Sequence, residues 1–199
     1  MRKLFANTRR PPRTQSTASS WGHKRARPPI VRPDHAARLA VSLQAANQEG
    51  IDWAIVDTAP SQDQSALTAA KLADQIVLPV RPAAFDLEAV ANTLQLCQIA
   101  QRPSLVVINA APIRSKVTDD AIEHVKRLGG TVAPIVIKHR VAFQHAVVDG
   151  RTAGEFEPDG AAAEEIAAFV KMLASSPDQP ADKNPRRQES SKTKVRQHG

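Results

Sequence analysis

Residues 75–109, QIVLPVRPAAFDLEAVANTLQLCQIAQRPSLVVIN, hold two short apolar segments with a longer segment of different pattern between them. The apolar segments, residues 75–80 and 105–109, are continuously hydrophobic, and such runs are typical of strands that are buried on both faces. After Asp86, which can cap the first turn of a helix, apolar residues recur at three- and four-residue intervals. The stretch therefore predicts a strand, a helix and a second strand parallel to the first.

The same alternation extends on both sides of this stretch. Residues 53–57, WAIVD, predict another short buried strand, and residues 133–137 predict a further one. Helical patterns cover the intervals near 35–48, 64–72, 118–130, 140–148 and 160–174. We therefore expect an α/β fold with a mostly parallel sheet and helices on both faces, in which ligands bind at the carboxyl ends of the strands.

The net charge of +7 is carried by the two ends of the chain. Residues 1–35 hold nine Lys and Arg against one Asp, and residues 175–199 hold six against three acids. The residues between them hold twelve Lys and Arg against sixteen Asp and Glu. We therefore expect a basic, poorly ordered arm over residues 1–33, an α/β domain over residues 34–174 and a disordered basic tail over residues 175–199.

The composition excludes several classes of protein and site. The sequence has no apolar run near the roughly 18 residues that a membrane-spanning helix needs, so we expect no membrane partner. A single cysteine, Cys97, excludes an intramolecular disulfide framework and a cysteine-based zinc site. The six histidines show no metal-ligand spacing, and no serine or cysteine lies in a nucleophile elbow. Neither a metal hydrolase nor a serine hydrolase is expected.

The most informative local sequence is AIVDTAPS, residues 54–61, in which a predicted strand ends in an aspartate followed by Thr and Pro. Mg²⁺ prefers oxygen ligands and keeps several waters, so one fixed carboxylate beside bound phosphates is enough to hold it. Asp57 is therefore a candidate magnesium ligand. A structural role for Asp57, as a cap at the end of a strand, agrees equally well with this pattern.

A longer series of segments resembles one known family. The sequence reads DTAP, then ALTAAKLADQIVLPVRPAAFDLEAVANTL, then LVVINAAP, then HRVAFQHAVVDGRTAGEFEPDGAAAEEI. In order and spacing these segments resemble the ParA/MinD family of partition ATPases, which belongs to the P-loop NTPase class. The resemblance covers about residues 51–172.

The resemblance implies roles for individual residues. Asp57 corresponds to the Walker B aspartate, the catalytic residue that holds Mg²⁺ through water. Thr58 and Pro60 correspond to the switch loop that follows it and would contact the nucleotide. Asn109 would hydrogen-bond the adenine, which suits an amide with both donor and acceptor, although a loop cap is its alternative role. The implied cofactors are ATP and Mg²⁺.

One part of the family pattern has no counterpart in this sequence. The family binds phosphates with a glycine-rich P-loop, KGGxGKT, on its first strand–helix turn, but here the first glycine is Gly22 and no glycine precedes a lysine. Residues 15–21, QSTASSW, resemble the segment after the family's second strand, and Arg13 then stands where the family has an aspartate near the attacking water. We therefore expect a P-loop NTPase-like fold whose N-terminal strand and P-loop are missing, with impaired hydrolysis and an uncovered sheet edge.

Four basic residues are candidates for contact with DNA. Arg114 and Lys116 follow one predicted strand, and Lys138 and Arg140 follow another, so the four are expected on one rim of the sheet. Non-specific binding to DNA mainly requires cations that neutralise phosphates. Ordinary solvated surface charge is the alternative interpretation of these residues.

The resemblance implies a function in plasmid or chromosome partition. The expected partners are non-specific DNA, a second copy in a homodimer and a ParB-like centromere-binding protein. The expected location is the bacterial cytoplasm, in association with the nucleoid. The alternative is a non-catalytic DNA- or protein-binding module built on the same sheet.

Overall fold

Short parallel strands alternate with helices in the computed structural model, which describes residues 3–7, 17–25, 27–58 and 64–175. This confirms the predicted α/β class. The elements in chain order are β1 (Lys3–Asn7), α1 (Thr17–His23), β2 (Ile30–Pro33), α2 (Leu39–Gln48), β3 (Trp53–Asp57), α3 (Gln64–Leu72), β4 (Ile76–Val80), α4 (Ala84–Ala100), β5 (Ser104–Ile108), α5 (Val117–Arg127), α6 (Val141–Val148), α7 (Ala153–Phe156) and α8 (Ala161–Ala174).

The described strands form two separate parallel sheets. The first has the order β2-β1-β3, and the second pairs β4 with β5. Residues 131–138 run beside the other edge of β5, where the amide of Ala133 donates to the carbonyl of Val106 at 2.8 Å. This segment was predicted as a strand over 133–137, but it makes only isolated bridges, and Pro134 within it has no N–H for a regular ladder.

Part of the predicted N-terminal arm has regular structure. Strand β1 lies between β2 and β3, and α1 packs on β2, where a Cβ on Gly22 would overlap with Val31. Within the segment predicted as a poorly ordered arm, the regular elements are therefore β1, α1 and β2. Residues 176–199, within the predicted tail, lie outside the described residues.

An ion pair and hydrogen bonds join the connection between α1 and β2 to residues 150–155. The side chain of Arg25 is 4% exposed and forms two hydrogen bonds of 2.8 Å with the carboxylate of Glu155. The same guanidinium donates to the carbonyl of Gly150 at 2.6 Å and lies 4.5 Å from the centre of the Trp21 ring. We name this set of contacts the Arg25 clamp.

The hydrophobic core is concentrated on the second sheet. Val106 and Ile108 of β5 are completely buried and pack with residues of β4, α4 and α5. In the first sheet a smaller cluster joins Leu39, Ala69 and Val56. Strand β3 was predicted to be buried, but Ile55 in its centre is 43% exposed.

No strand in the described part of the chain belongs to both sheets. Strand β3 is paired on one side with β1, and β4 is paired on one side with β5, while β3 and β4 are not hydrogen-bonded to each other. None of the described helices is long and apolar enough to cross a membrane.

Candidate functional site

The predicted nucleotide residues stand at the carboxyl ends of strands. Asp57 is the last residue of β3 and Thr58 follows it, and both are half-buried. Asn109 directly follows β5, and its backbone N–H donates to the carbonyl of Val80 at 2.8 Å. Asp57 therefore ends a strand of the first sheet, whereas Asn109 follows β5 of the second sheet, in which β5 pairs with β4. Pro60 lies outside the described residues.

The chain fits a magnesium nucleotide only in part. Asp57 offers a carboxylate of the type that Mg²⁺ prefers, and Asn109 offers an amide that can pair with a purine edge. No cluster of three His, Cys, Asp or Glu in the described ranges could hold a metal ion, so Mg²⁺ would depend on Asp57, water and phosphate oxygens. Residues 1–199 contain no glycine-rich loop that would surround the phosphates, so the described residues lack the groups that position them for hydrolysis.

Two loops that carry basic residues are held side by side at the end of β5. The amide of Ala111 donates to the carbonyl of Ile137 at 3.1 Å, and the amide of His139 donates back to Ala111 at 2.8 Å. This pairing places the loop of Arg114 and Lys116, both exposed, next to the segment that contains Lys138. The structure therefore brings these three basic residues to one rim.

Arg140 lies on the same rim but has an internal partner. Its Nη2 and Nε donate to Glu165 Oε1 of α8 at 2.6 Å and 3.1 Å, and these hydrogen bonds raise the pKa of Arg140 above its ordinary value. The other oxygen of Glu165 accepts from the amide of Lys138 at 3.0 Å. Glu165 was not singled out from the sequence, because its partners precede it by 25 and 27 residues and no local pattern links them.

Exposed apolar side chains accompany these residues and were also missed. Phe85 after β4 is 84% exposed, Ile113 after β5 is 62% exposed and Val141 after the 131–138 segment is 55% exposed. Each follows a chain segment at its carboxyl end, as do the basic residues.

Known proteins resemble this chain both in sequence and in fold. No family model matches the chain. The chain is 30% identical over 165 residues to "Maintenance of carboxysome distribution protein A" of Halothiobacillus neapolitanus, which covers 78% of this chain and 76% of that protein.

Three solved structures share the fold. MinD of Pyrococcus furiosus superimposes with a TM-score of 0.58 at 16% identity over 72% of this chain, which spans 64% of that protein's length. MinD of Pyrococcus horikoshii, solved with Mg-ADP, gives 0.62 at 14% identity over 87% of this chain and 84% of that one. An McdA–ATP complex from Cyanothece gives 0.59 at 15% identity over 87% and 85%.

The sequence relative and the shared fold agree with the family resemblance over about residues 51–172. The chain belongs to the ParA/MinD-type family of partition ATPases.

Proposed function

We propose that this chain is a ParA-type partition or positioning protein that binds DNA through its carboxyl-edge rim and hydrolyses ATP poorly or not at all. The observation that carries the proposal is the paired loops that hold Arg114 and Lys116 exposed beside Lys138. The proposed location is the bacterial cytoplasm, on the nucleoid. Plasmid or chromosome DNA is the proposed cargo, and the relative named for carboxysome distribution makes a protein compartment the second candidate.

The nucleotide part of the proposal rests on an incomplete set of residues. In phosphoryl transfer the protein contributes mainly positioning and charge around the phosphates, and a P-loop provides most of both. By the family resemblance Asp57 would hold Mg²⁺, and Thr58, Pro60 and Asn109 would contact the nucleotide. Residues 1–199 contain no Gly-Lys sequence that would hold the β- and γ-phosphates. We infer weak binding of ATP with Mg²⁺ and hydrolysis near the uncatalysed rate.

Equilibrium binding of ATP with Mg²⁺ to the full chain tests this inference. We expect no saturation at micromolar nucleotide, and Asp57→Ala should leave both binding and hydrolysis unchanged, because one carboxylate cannot replace the phosphate loop. The carboxysome-distribution relative from Halothiobacillus, assayed in parallel, serves as the reference. Micromolar affinity that Asp57→Ala abolishes would show that the chain has a working nucleotide site.

The DNA part of the proposal rests on charge and exposure. Arg114 and Lys116 lie before or at the start of α5, in a loop with no described ion pair to either residue. Glu165 forms an ion pair with the side chain of Arg140 and accepts a hydrogen bond from the backbone N–H of Lys138. The ion pair reduces the positive charge that Arg140 presents to a ligand. We therefore assign the larger share of phosphate contact to Arg114 and Lys116.

Binding of the full chain to a fluorescent 24-base-pair DNA over a salt series tests the assignment. Each lost phosphate contact lowers the slope of log affinity against log salt by about 0.9, so Arg114→Ala with Lys116→Ala should reduce its magnitude by about 2. Lys126→Ala with Arg127→Ala is the matched control, because it removes the same charge from the opposite end of α5. Equal losses in the two double variants would contradict a localised DNA surface.

The alternative function is a non-catalytic module that binds a protein. It is favoured by one observation, the exposed Phe85, Ile113 and Val141 on the edge that carries the basic residues. A ParB-like protein and a second copy of the chain are the partners that the family relationship suggests. Self-association measured by sedimentation, with Phe85→Ser and Ile113→Ser as variants, distinguishes dimerisation through this edge from DNA binding, which these changes should leave intact.

A further inference from the structure

Glu165 lies on the face of α8 that packs against the core of the second sheet. Phe169 and Met172, one and two turns after it, pack against the cluster that contains Val107 and Ile137. Residues three and four positions apart share one face of a helix, so Glu165 belongs to this packed face. Its side chain is 17% exposed. The packing of α8 therefore holds the carboxylate at the rim independently of its ion pair.

The two oxygens of Glu165 have different partners on the rim. Oε2 accepts from the backbone N–H of Lys138 at 3.0 Å, and this contact attaches the chain segment to α8. Oε1 accepts from Nη2 and Nε of Arg140 at 2.6 Å and 3.1 Å. The contact through Oε2 positions the segment, whereas the contact through Oε1 compensates the charge of Arg140.

A DNA phosphate can contact Arg140 fully only if it displaces the carboxylate of Glu165. The side chains of the pair are 27% and 17% exposed, so salt screens their attraction less than that between an exposed cation and phosphate. Loss of Arg140 would also leave Glu165 largely buried without a counter-charge, which is unfavourable. The internal ion pair is therefore expected to persist when DNA lies against the rim.

Further acidic residues lie around the same guanidinium. The hydrogen bond with Glu165 is the largest cause of the raised pKa of Arg140, and the negative charges of Glu164 and Glu157 add to it. These two carboxylates would repel a phosphate that approached Arg140 from the side of α8. Arg114 and Lys116 differ from Arg140, because both are exposed and neither has an ion pair among the described residues.

We propose that Glu165 is an internal competitor of DNA phosphate for Arg140, which keeps this cation out of the DNA contact and lowers the affinity of the rim. The unmodified chain then binds DNA mainly through Arg114 and Lys116. Arg140 becomes a phosphate ligand only when residue 165 has no negative charge. The inference rests on the proposed DNA binding and concerns how strongly that binding is restrained.

The salt dependence of binding to the fluorescent 24-base-pair DNA tests the proposal with the full chain. Glu165→Gln keeps an oxygen that can accept from the Lys138 N–H, but it removes the charge that retains Arg140. Each added phosphate contact steepens the slope of log affinity against log salt by about 0.9. The affinity of Glu165→Gln relative to the unmodified chain should therefore rise about eightfold for each tenfold decrease in salt.

Glu164→Gln is the matched control for this substitution. Glu164 is exposed and precedes Glu165 on the same helix, so its replacement changes the net charge equally and leaves the Arg140 ion pair in place. We expect the slope of the unmodified chain from Glu164→Gln, and also from the double variant Glu165→Gln with Arg140→Gln. An equal gain in Glu164→Gln, or a gain that persists without Arg140, would overturn the proposal.

A measurement on the unmodified chain decides the question even if Glu165→Gln does not fold. ¹⁵N NMR of the arginine side chains resolves their Nε–H groups, and the variants Arg140→Lys and Arg114→Lys identify the two signals. On saturation with DNA we expect the Arg114 signal to shift and the Arg140 signal to stay in place. Equal shifts of the two signals would overturn the proposal.

The same experiments separate this inference from the proposed function. If neither the unmodified chain nor Glu165→Gln binds DNA at any salt concentration, DNA binding itself is contradicted and the inference falls with it. If the unmodified chain binds DNA and Glu165→Gln shows no steeper slope, only the restraint by Glu165 is contradicted.

Discussion

Replacing Glu155 with Gln is expected to lower the free energy of unfolding by about 3 kcal/mol. Arg25, 4% exposed, would remain buried without a counter-charge, and breaking a buried ion pair by removing one partner typically costs about 3–5 kcal/mol. The lower end applies because the Glu155 side chain is 33% exposed and Arg25 keeps hydrogen bonds to the carbonyls of Gly150 and Pro28. Urea denaturation of the full chain measures the change.

Thr152→Ala is the matched control for this substitution. Thr152 and Glu155 form a capping box at the start of α7, and glutamine at 155 preserves the acceptor of that box. Thr152→Ala removes the cap and leaves the ion pair, so it should cost only about 1 kcal/mol. If the two variants lost the same stability, the charge of Glu155 would contribute nothing beyond its role as a cap.

The dependence of the same pair on pH has a defined direction. Hydrogen bonds from Arg25 lower the pKa of Glu155 from its ordinary value of 4.5 to about 2 in the folded chain. A carboxyl group with a depressed pKa stabilises the fold fully above its unfolded pKa and loses that contribution as the pH falls toward its folded pKa. The stability difference between the unmodified chain and Glu155→Gln should therefore be constant from pH 5 to 8 and shrink between pH 4.5 and pH 2.

The second sheet could be predicted from the sequence because its strands are strongly apolar and are joined by a long segment with apolar residues at three- and four-residue intervals. Strands β4 and β5 lie within one residue of their predicted bounds, and α4 begins two residues before Asp86. The predicted cap was wrong: α4 begins at Ala84, and Asp86 in its first turn pairs with Arg81 at 2.8 Å. Helix caps depend on the backbone angle of one residue, which the apolar pattern does not determine.

The first sheet could not be predicted to the same extent. Strand β1, KLFAN, has three apolar residues within a strongly basic segment, and its position depends on pairing with residues 30–33 and 53–57. The Arg25 clamp joins residues 130 positions apart, so nothing in the local sequence indicates it. For the candidate site, the sequence predicted that the basic loops lie together. It could not show that Glu165 forms an ion pair with Arg140.

Replacing Leu39 with Ala is expected to lower the free energy of unfolding by about 3–4 kcal/mol. Leu39 is 0% exposed, and truncating a buried leucine typically costs about 2–5 kcal/mol through lost transfer energy and the remaining cavity. The described core of the first sheet is small, so few neighbours are available to fill the space around Ala69 and Val56. Alanine favours the helix at this position, so the loss comes from packing alone.

Val41→Ala is the control on the same helix, because Val41 is 66% exposed and its truncation should change stability by no more than about 0.5 kcal/mol. The two tryptophans, Trp21 in α1 and Trp53 in β3, both report on the first sheet, whereas far-UV circular dichroism reports on all elements. Because no described strand joins the two sheets, Leu39→Ala should lower the fluorescence midpoint in urea more than the circular dichroism midpoint. Coincident midpoints would show that the two sheets unfold as one cooperative unit.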